Sequence, residues 1–513
     1  MPLPVRDQAW PPADLQPVQA KLREWDAWWT GDPSALERAY RGTASPTPAD
    51  RPAQRRGGVV GALARFWWGR PINANGQRRD DTHVPLASDI ARASADMLFS
   101  QPLTLTVDDK GAQARLDTLL ADQAYATLTG AAEQAAALGG VYVKVAFDRE
   151  VADTAFLVSE PADRAIPELA FGRLRAVTFW RVVRSEGQQV WRHLERHEVD
   201  AGGYGVTQHG LYQGTPDRLG RPVPLADVDA LAPLAGSVNE DGYVTEGATP
   251  GLDVVYVPND AAAAARAWRH IPTADGWGAS DFDGVEGFLD NLDEAYASWM
   301  RDIRLGKARL LLAQYMLDSN GPGLGAAFDL DRDVYTPLKM AAVEDGDAPI
   351  TQVQFAIRFA EHKATVDHWT DQIITSSGYS PATFGRDSRG SAMTATEVDA
   401  REARSATTRA RKIRTWSPAL RQIIAKLLEV DAVVFNRGAT PADGLRVLFP
   451  DAVQQTPEDR AQAAQLLKAA GAASTDTLVR MVNPDWDDVT VGDEVARILA
   501  ENAALPDPYS FGG

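Results

Sequence analysis

The segment 378–428 constrains the fold most, because it joins a loop rich in glycine, serine and arginine to a long helical stretch. The loop covers 378–392, and the residues after it show helical periodicity with Thr394 or Thr396 as a suitable N-cap. An enzyme rarely needs a mobile loop mounted on a helix of this length. The arrangement favours a protein that grips or encircles a polymer.

The two sides of this helix differ in character at about 100° per residue. The basic side carries Arg401, Arg404, Arg409, Arg411 and Lys412. The other side is predicted to be buried and to let another helix approach closely, and it carries Ala403, Ala406, Ala410 and Ile413. Pro418 removes a backbone donor and predicts a kink or break near Ser417. A surface helix with solvated arginines is the alternative interpretation.

A broader apolar stripe follows the proline, and it predicts a helix half that lies in a core. Its members are Leu420, Ile423, Ile424, Leu427 and Leu428. The helix is therefore expected to be polar before Pro418 and to pack in a core after it.

Composition excludes several classes of function. The 513 residues predict two to four substructures, and the absence of cysteine excludes disulfides, thiolate nucleophiles and zinc held by cysteine. The net charge of −18 argues against a sequence-reading DNA-binding protein, but it suits a wall past which DNA slides. No stretch approaches 18 uninterrupted apolar residues, so we expect no membrane span and no membrane partner.

The order of predicted elements indicates a mixed α+β fold. Helices are expected at Leu15–Trp29, Pro33–Tyr40, Ser88–Phe99, Ala112–Leu138, Ser280–Leu312 and Phe355–Ser377. Strands are expected at Leu103–Val107, in an antiparallel meander within Val141–Glu246, and at Leu445–Phe449. A short β-rich block lies between the last two helices, and a helical tail follows Thr456.

Motifs for catalysis or metal binding are weak. The HLERH motif, His193–His197, has two-histidine spacing but lacks the adjacent glutamate of a zinc protease. The DLDRDVY motif resembles the start of a calcium loop, but Val334 stands where the loop needs glycine. We interpret Asp329, Asp331 and Asp333 as an acidic patch that attracts a basic partner. No phosphate-binding lysine loop and no GxSxG motif is found, so no catalytic residue, metal or cofactor is expected.

Several long and idiosyncratic segments resemble the portal proteins of tailed bacteriophages, of the type common in phages of actinobacteria. They are VPLASDIARASADMLFSQP near residue 84, RHEV near 196, LDVVYVPND and WRH within 252–270, GASDFDGVEGFLDNLDEAYASWMRDIRLGKARL from 278, QFAIRFAEH from 354, and SGYSPATFG with TATEV from 377. The resemblance covers nearly the whole chain.

The resemblance implies a ring, typically of twelve subunits, at one vertex of the capsid, with a central channel for DNA packaging and ejection. It implies portal-type regions: an N-terminal region and wing at 1–280, a first stem helix at 281–305, a clip at 306–350, a second stem helix at 351–377, a tunnel loop at 378–393, a long kinked wing helix at 394–436, a wing strand at 437–455 and a crown at 456–513. The expected location is the virion, with assembly in the host cytoplasm.

The resemblance also implies partners and contacts. These are other copies of the chain, double-stranded DNA, the major capsid protein with or without scaffold, the terminase large subunit and a head–tail adaptor, the last two docking on the clip that carries Asp329, Asp331 and Asp333. Within the tunnel loop, Arg386 and Arg389 are expected to contact DNA phosphate, with Ser388 and Ser391 as weaker contacts. The open alternative for both arginines is a salt bridge to the neighbouring subunit, and Arg401 and Arg404 are expected to pair across subunits.

Two rival functions come from other classes. A monomeric head–tail adaptor or minor capsid protein is disfavoured by the length of the chain and by the helix, β-rich block, helix order. A nuclease that uses scattered carboxylates is disfavoured because pairs such as Asp487 and Asp488 give no metal-site spacing. The ATPase of the packaging motor is then expected to be a different chain.

Overall fold

A computed structural model describes most of the chain and divides it into two compact units, Met1–Phe449 and Pro450–Gly513. The described residues are 3–4, 7–42, 83–121, 123–239, 242–244, 249–305, 309–313, 335–338, 351–353, 357–386, 395–438, 442–450, 457–483, 486 and 488–504.

The first unit mixes helices and strands, as the element order predicted. Its helices are α1 (Gln16–Thr30), α2 (Pro33–Gly42), α3 (Leu86–Phe99), α4 (Lys110–Leu120), α5 (Ala124–Leu138), α6 (Ala232–Ala235), α7 (Ala261–Ala267), α8 (Glu286–Leu305), α9 (Phe359–Ser376) and α10 (Ala395–Val434). Its strands are β1 (Thr104–Thr106), β2 (Gly140–Ala146), β3 (Phe156–Pro161), β4 (Ala165–Ala170), β5 (Arg173–Glu186), β6 (Gln189–Val199), β7 (Gly205–Thr215), β8 (Arg218–Val223), β9 (Tyr243–Val244), β10 (Val254–Pro258), β11 (Arg309–Ala313), β12 (Tyr335–Leu338), β13 (Thr351–Val353) and β14 (Arg446–Leu448).

The predicted meander forms the largest sheet, in the order β4-β5-β6-β7-β8, with β9 paired to β7. Every pairing along this sheet is antiparallel, as expected for strands joined by short turns. A second antiparallel sheet, β10-β2-β3, lies beside it, and β1 pairs with β14. In the sheet β12-β11-β13, β11 pairs in parallel with β12 and antiparallel with β13.

The single helix expected over Ala112–Leu138 is wrong, because two helices occupy this range. The first, α4, begins with Asp109 as N-cap, whose Oδ1 accepts a hydrogen bond from the Ala112 N–H at 2.7 Å. α5 spans Ala124–Leu138 and is followed by Gly139, whose left-handed φ of 76° suits glycine. The apolar stripe of α5 packs with α3, β2 and the second half of α10 in one core.

The helices α8 and α9 run antiparallel. Phe288 packs against Trp369 with ring centroids 5.4 Å apart, and at the other end the ring centroids of Trp299 and Phe359 are 5.5 Å apart. α8 spans Glu286–Leu305 instead of Ser280–Leu312, since strand β11 begins at Arg309. α9 begins at Phe359 instead of Phe355. The buried faces of both helices share a core with α1 and α3.

The long helix α10 has 40 residues and continues through Pro418, so the predicted break near Ser417 is not found. A proline removes one backbone donor, and the apolar contacts on both sides of it hold the helix in place. Trp416 and Leu420 flank Pro418 and are both buried. The core stripe predicted after the proline is confirmed, since Leu420, Ile423, Ile424, Leu427 and Leu428 are all buried.

The prediction for the first half of α10 is wrong. Ala403, Ala406 and Ala410 are exposed, and only Ile413 of the predicted buried side is half-buried. The buried positions are instead Ser405, Thr408 and Lys412. The reason is that this half of the helix faces polar groups of its own chain, and polar side chains satisfy those groups.

The second unit contains three described helices: α11 (Pro457–Ala469), α12 (Thr475–Val482) and α13 (Asp488–Ala504). Ser474 caps α12, with its Oγ accepting from the Thr477 N–H at 3.3 Å. This helical tail follows the sequence-based expectation. Among the helices that the structure describes, none has the length and apolarity needed to cross a membrane.

Candidate functional site

The described start of the predicted tunnel loop is a compact turn after α9. Gly378 has a left-handed φ of 89°, and the Tyr379 N–H donates to the Ile374 carbonyl at 3.1 Å. A 3-10 turn over Pro381–Phe384 follows, and Gly385 ends it with a φ of 67°. The positive φ at both glycines lets the chain reverse twice over a short stretch. We refer to residues 378–386 as the loop base.

The polar side of α10 holds the loop base through its hydroxyl groups. The Thr408 hydroxyl donates to the Gly378 carbonyl at 2.6 Å. The Ser405 Oγ accepts from the Ser380 N–H at 2.9 Å and lies 2.7 Å from the Thr383 hydroxyl. Because these side chains are spaced three residues apart, they share one helix face.

A buried ionic group continues the same face one turn further. The Lys412 ammonium donates to both oxygens of Asp281, at 2.7 and 2.8 Å, and to the Asn259 Oδ1 at 2.6 Å. The Tyr379 hydroxyl donates to the Asp281 Oδ2 at 2.6 Å. We call Asn259, Asp281, Tyr379 and Lys412 the buried tetrad. It joins the residue after β10, the segment before α8, the loop base and the long helix.

The tetrad leaves Tyr379 protonated at physiological pH. Burial, and secondly the negative charge of Asp281, raise the pKa of the tyrosine hydroxyl well above its ordinary value. A protonated hydroxyl can donate to the carboxylate, so the hydrogen bond to Asp281 is retained. The loop base is therefore fixed by a hydrogen bond to a charged group, which is stronger than one between neutral groups.

Arg386 closes the loop base against α9. Its Nε donates to the Asp371 Oδ1 at 2.7 Å and its Nη2 to the Asp367 Oδ1 at 2.8 Å. Asp367 and Asp371 lie one turn apart on the helix, so one guanidinium spans both. Partial burial opposes the charge, but hydrogen bonds to Asp371 and then Asp367 outweigh it and raise the pKa of Arg386.

The Asp367 carboxylate has a second cation beside it. Hydrogen bonds from Lys363 and then from Arg386 lower the pKa of Asp367. We call Arg386, Asp367 and Asp371 the arginine clasp. With 28% of its side chain exposed, Arg386 is engaged within its own chain, whereas the sequence suggested DNA or a neighbouring subunit. Contact with DNA stays a prediction.

The other predicted site residues are distributed as follows. Ser388, Arg389 and Ser391 lie outside the described residues, and so do Asp329, Asp331 and Asp333. The backbone of Arg401 is in α10, although its side chain is outside the description, while Arg404 is exposed. Their roles remain predictions.

The histidines of the HLERH motif are buried in strand β6. His197 lies 2.9 Å from the Asp253 Oδ1 and 2.8 Å from the Glu195 Oε1, while His193 lies 3.2 Å from His209. These contacts give the motif a structural role within the sheet. Across the described ranges, no group of three or more histidine and carboxylate side chains has the geometry to hold a metal ion.

The loop base, the buried tetrad and the arginine clasp together fix the start of a loop to two helices. The comparison with known families decides what kind of protein carries this arrangement. The family model described as "Phage portal protein, SPP1 Gp6-like" matches residues 72–505. The chain belongs to the phage portal protein family. The matched residues include α8, α9, the loop base and α10.

Two solved structures are similar to this portal family member at low identity. One is titled "Neck of native GTA particle computed with C12 symmetry", with 13% identity, a TM-score of 0.35, and coverage of 82% of this chain and 92% of that chain. The other is titled "Neck of empty GTA particle computed with C6 symmetry", with 12% identity, a TM-score of 0.36, and coverage of 77% and 88%. No curated protein matches the sequence.

Sequence reasoning missed the residues that hold the loop base. One feature of the sequence does indicate a polar buried face. It is the helical spacing of three polar residues, Ser405, Thr408 and Lys412. The periodicity of about 100° per residue places Lys412 on the same side as the arginines, whereas the structure buries it. Its acidic partner Asp281 lies 131 positions earlier in the chain, and periodicity within one helix cannot reveal such a partner.

Proposed function

We propose that this chain is the subunit of a portal ring of twelve copies at one capsid vertex. Double-stranded DNA passes through the central channel of the ring during packaging and ejection. The single observation that carries the proposal is the match of the portal family model across residues 72–505. The proposed location is the virion, after assembly in the host cytoplasm beside the major capsid protein and its scaffold.

The proposed regions follow the order of the helices. α8 and α9 are the stem, the residues 306–350 between them are the clip, and the helices of the second unit are the crown. The terminase large subunit docks on the clip during packaging, and the head–tail adaptor docks there afterwards. Acidic Asp329, Asp331 and Asp333 in the clip attract basic groups of these partners.

The tunnel loop, 378–393, is the proposed contact with DNA. Arg389 contacts phosphate with help from Ser388 and Ser391, since arginine offers phosphate a bidentate partner. Arg386 holds the base of the loop through the arginine clasp, where Asp367 and Asp371 offset its charge. Different roles are proposed for Arg386 and Arg389 because Arg386 already bonds to Asp371 and Asp367. These bonds position its guanidinium against α9.

The proposal includes no catalytic step. The family is one of structural proteins. The proposed source of energy for DNA movement is the terminase ATPase, a different chain. Arg401 and Arg404 of α10 are proposed to pair across subunits.

The channel tolerates moving DNA because the chain is acidic overall, with a net charge of −18. A polyanion adheres weakly to a negative wall.

Electron microscopy of the purified protein tests the ring. We expect class averages of closed rings with a central hole about 20 Å wide or more, enough for duplex DNA. A particle that remains monomeric or dimeric at high concentration contradicts the proposal and favours an adaptor or minor capsid protein. Cleavage of DNA by such a particle with added Mg²⁺ or Mn²⁺ would indicate a nuclease instead.

The DNA contact has its own test. In a packaging reaction with assembled procapsids, Arg389→Ala is expected to slow or stall DNA translocation while the variant rings assemble normally. Arg38→Ala is the control, because Arg38 is an exposed arginine of α2, remote in sequence from the loop. Equal translocation by both variants would remove Arg389 from the DNA contact and leave the ring proposal intact.

A further inference from the structure

The long helix α10 carries more positive charge than its own chain uses. Between Ala403 and Leu428 it has seven basic residues and no acidic residue, in a chain whose net charge is −18. Three of the seven are buried or half-buried and bond within the chain. Arg409 donates to the Met97 carbonyl at 2.6 Å, Lys412 belongs to the buried tetrad, and Lys426 donates to the Thr249 hydroxyl at 3.0 Å.

The other four basic residues lie on the outward side of the helix and are all exposed. We call them the arginine ridge: Arg404, Arg411, Arg414 and Arg421. Their spacings of seven, three and seven residues keep them on one face, and the ridge spans about 26 Å at 1.5 Å per residue. The exposed Ala403, Ala406 and Ala410 lie alongside and leave room for a surface to approach closely.

The ridge is poorly neutralised by its own chain. In the part of the chain that the structure describes, Arg411 is the ridge member that forms an ion pair, with Asp260 at 3.8 Å, while 46% of its side chain remains exposed. Like charges three or four residues apart on a helix destabilise it slightly, so Arg411 and Arg414 disfavour the isolated helix. An acidic surface placed against the ridge would remove this repulsion.

The same chain carries an acidic surface at the other end of α10. Exposed carboxylates occur in the loop after β2 and in two loops beside the β1–β14 pair, and we call them the acidic corner: Asp108, Asp148, Glu150, Asp153 and Asp443. The Arg437 guanidinium, just beyond the helix, donates to the Asp153 carbonyl at 2.7 Å, and Arg149 donates to the Val434 carbonyl at 2.9 Å. These bonds place the loop after β2 at the C-terminal end of α10.

The acidic corner remains available to a partner. The Asp153 side chain is 93% exposed, and its contact with Arg437 is long, at 3.6 Å. Asp108 and Asp443 are neighbours, because the Asp108 N–H donates to the Asp443 carbonyl at 3.1 Å. From Arg421, the ridge member nearest the corner, to Val434 the helix rises about 20 Å, so the ridge and the corner are distinct surfaces.

We propose that the arginine ridge of one copy binds the acidic corner of the next copy. Two different and complementary patches on one chain are what a head-to-tail contact needs, and repetition of such a contact closes a ring when the rotation allows. The inference rests on the proposed portal ring and specifies which surfaces build it. A second copy is favoured over DNA because the chain itself supplies the opposite charge.

Charge reversal with rescue tests the pairing. Native mass spectrometry of the full chain is expected to show rings for the wild type and a shift towards monomers for R411E/R414E. The concentration for half-assembly should rise at least about tenfold, because like charges then face each other. D148K/E150K/D153K should show a similar loss. The combination of both sets should restore rings in whole or in large part.

The matched control is R92E/R173E, which reverses two exposed arginines outside α10. It should assemble as the wild type does, and thermal unfolding should show that all variants fold.

Rings that survive R411E/R414E overturn the inference and leave the portal ring standing. If those rings bind duplex DNA more weakly, the ridge faces DNA. A loss that the combined variant does not restore overturns the pairing with the acidic corner, and a wild type that forms no rings contradicts the proposed function itself.

Discussion

The Lys412 ammonium lies 2.7 Å from the Asp281 Oδ1, and only 5% and 3% of the two side chains are exposed. Taking two charges out of water is costly, and their attraction offsets that cost only when the remaining polar groups are satisfied. Here Asn259 and Tyr379 satisfy them, at 2.6 Å each. The pair therefore fixes the position of α10 relative to the loop base and to the segment before α8.

Breaking this pair from one side should destabilise the first unit strongly. Lys412→Met leaves the Asp281 carboxylate buried without its cation, at an expected cost of about 3–5 kcal/mol in the free energy of unfolding. Urea unfolding at one fixed protein concentration measures the change, because assembly would otherwise alter the apparent stability.

Arg23→Met is the control, since it makes a similar change at an exposed position of α1, outside the arginine ridge and the buried tetrad, and should stay within about 0.5 kcal/mol. The double variant Lys412→Met with Asp281→Leu removes both charges and should recover much of the loss. If Lys412→Met is as stable as Arg23→Met, the pair does not stabilise the fold.

The arginine clasp should control local opening of the loop base more than global stability. Arg386→Ala removes both bonds to α9, and we expect amide hydrogen exchange at the 3-10 turn Pro381–Phe384 to quicken about three- to tenfold. The Arg386 N–H itself donates to the Pro381 carbonyl at 3.1 Å, so its amide is a direct reporter in the wild type. The free energy of global unfolding should change by about 1 kcal/mol or less, because the clasp is partly exposed.

Two further variants separate charge from geometry at the clasp. Arg386→Lys keeps the charge but cannot span Asp367 and Asp371 with a planar fork, so exchange should be intermediate. Arg38→Ala removes an exposed arginine of α2 and should leave exchange at the loop base unchanged. Equal exchange in Arg386→Ala and the wild type would show that the hydroxyl contacts of Ser405 and Thr408 alone hold the turn.

Much of the fold followed from periodicity and from turn and cap residues. The core stripe of α10 from Leu420 to Leu428 and the antiparallel meander were predictable, because apolar spacing directly reports which side meets the core. The division of Ala112–Leu138 into two helices was missed, since the residues between them contain neither proline nor glycine.

The candidate site was less predictable than the fold. The loop itself stands out in the sequence. However, Arg386 bonds to two aspartates of the preceding helix. A charged residue in a glycine-rich loop gives no direct indication of such partners. The buried side of the first half of α10 was predicted from small residues, whereas the structure buries Ser405, Thr408 and Lys412. Polar burial depends on partners brought together by the tertiary fold, and a single helix pattern carries no information about them.

Gly278 should tolerate no side chain, because three backbone segments cross at this position. An added Cβ would overlap the Gly139 carbonyl oxygen and the Asn259 amide nitrogen. The Gly278 carbonyl also accepts from the Trp268 indole N–H at 2.8 Å, so the segment cannot shift freely. Gly278→Ala is expected to cost about 3 kcal/mol or more in the free energy of unfolding.

Gly287→Ala is the control for this variant, because no heavy atom lies within 4 Å of the added Cβ and the position is in α8. Alanine at a helical position should leave stability unchanged or raise it by up to about 1 kcal/mol. Thermal unfolding of both variants at one concentration compares them. Similar midpoints for the two would mean that the crossing relaxes easily.

The buried histidine His197 should make stability depend on pH. Burial disfavours its charge, but Asp253, and then Glu195, outweigh burial and raise the pKa of His197 to about 9. The folded state therefore binds the proton more tightly than the unfolded state, whose histidine has a pKa near 6.5. The stabilisation is fully present below about pH 6.5 and is lost as the pH rises through about 9.

His197→Gln should remove this dependence. Between about pH 6.5 and 9 the wild type should lose about 3 kcal/mol of unfolding free energy relative to the variant, because one pKa unit corresponds to about 1.4 kcal/mol. His193→Gln is the matched control, since burial, and secondly His209, lower the pKa of His193 to about 3 and keep it neutral across this range. The control should lower stability without changing the slope. A wild-type slope equal to that of His197→Gln would mean that His197 is neutral in the folded protein, so that its contacts with Asp253 and Glu195 would be hydrogen bonds without a charge on the imidazole.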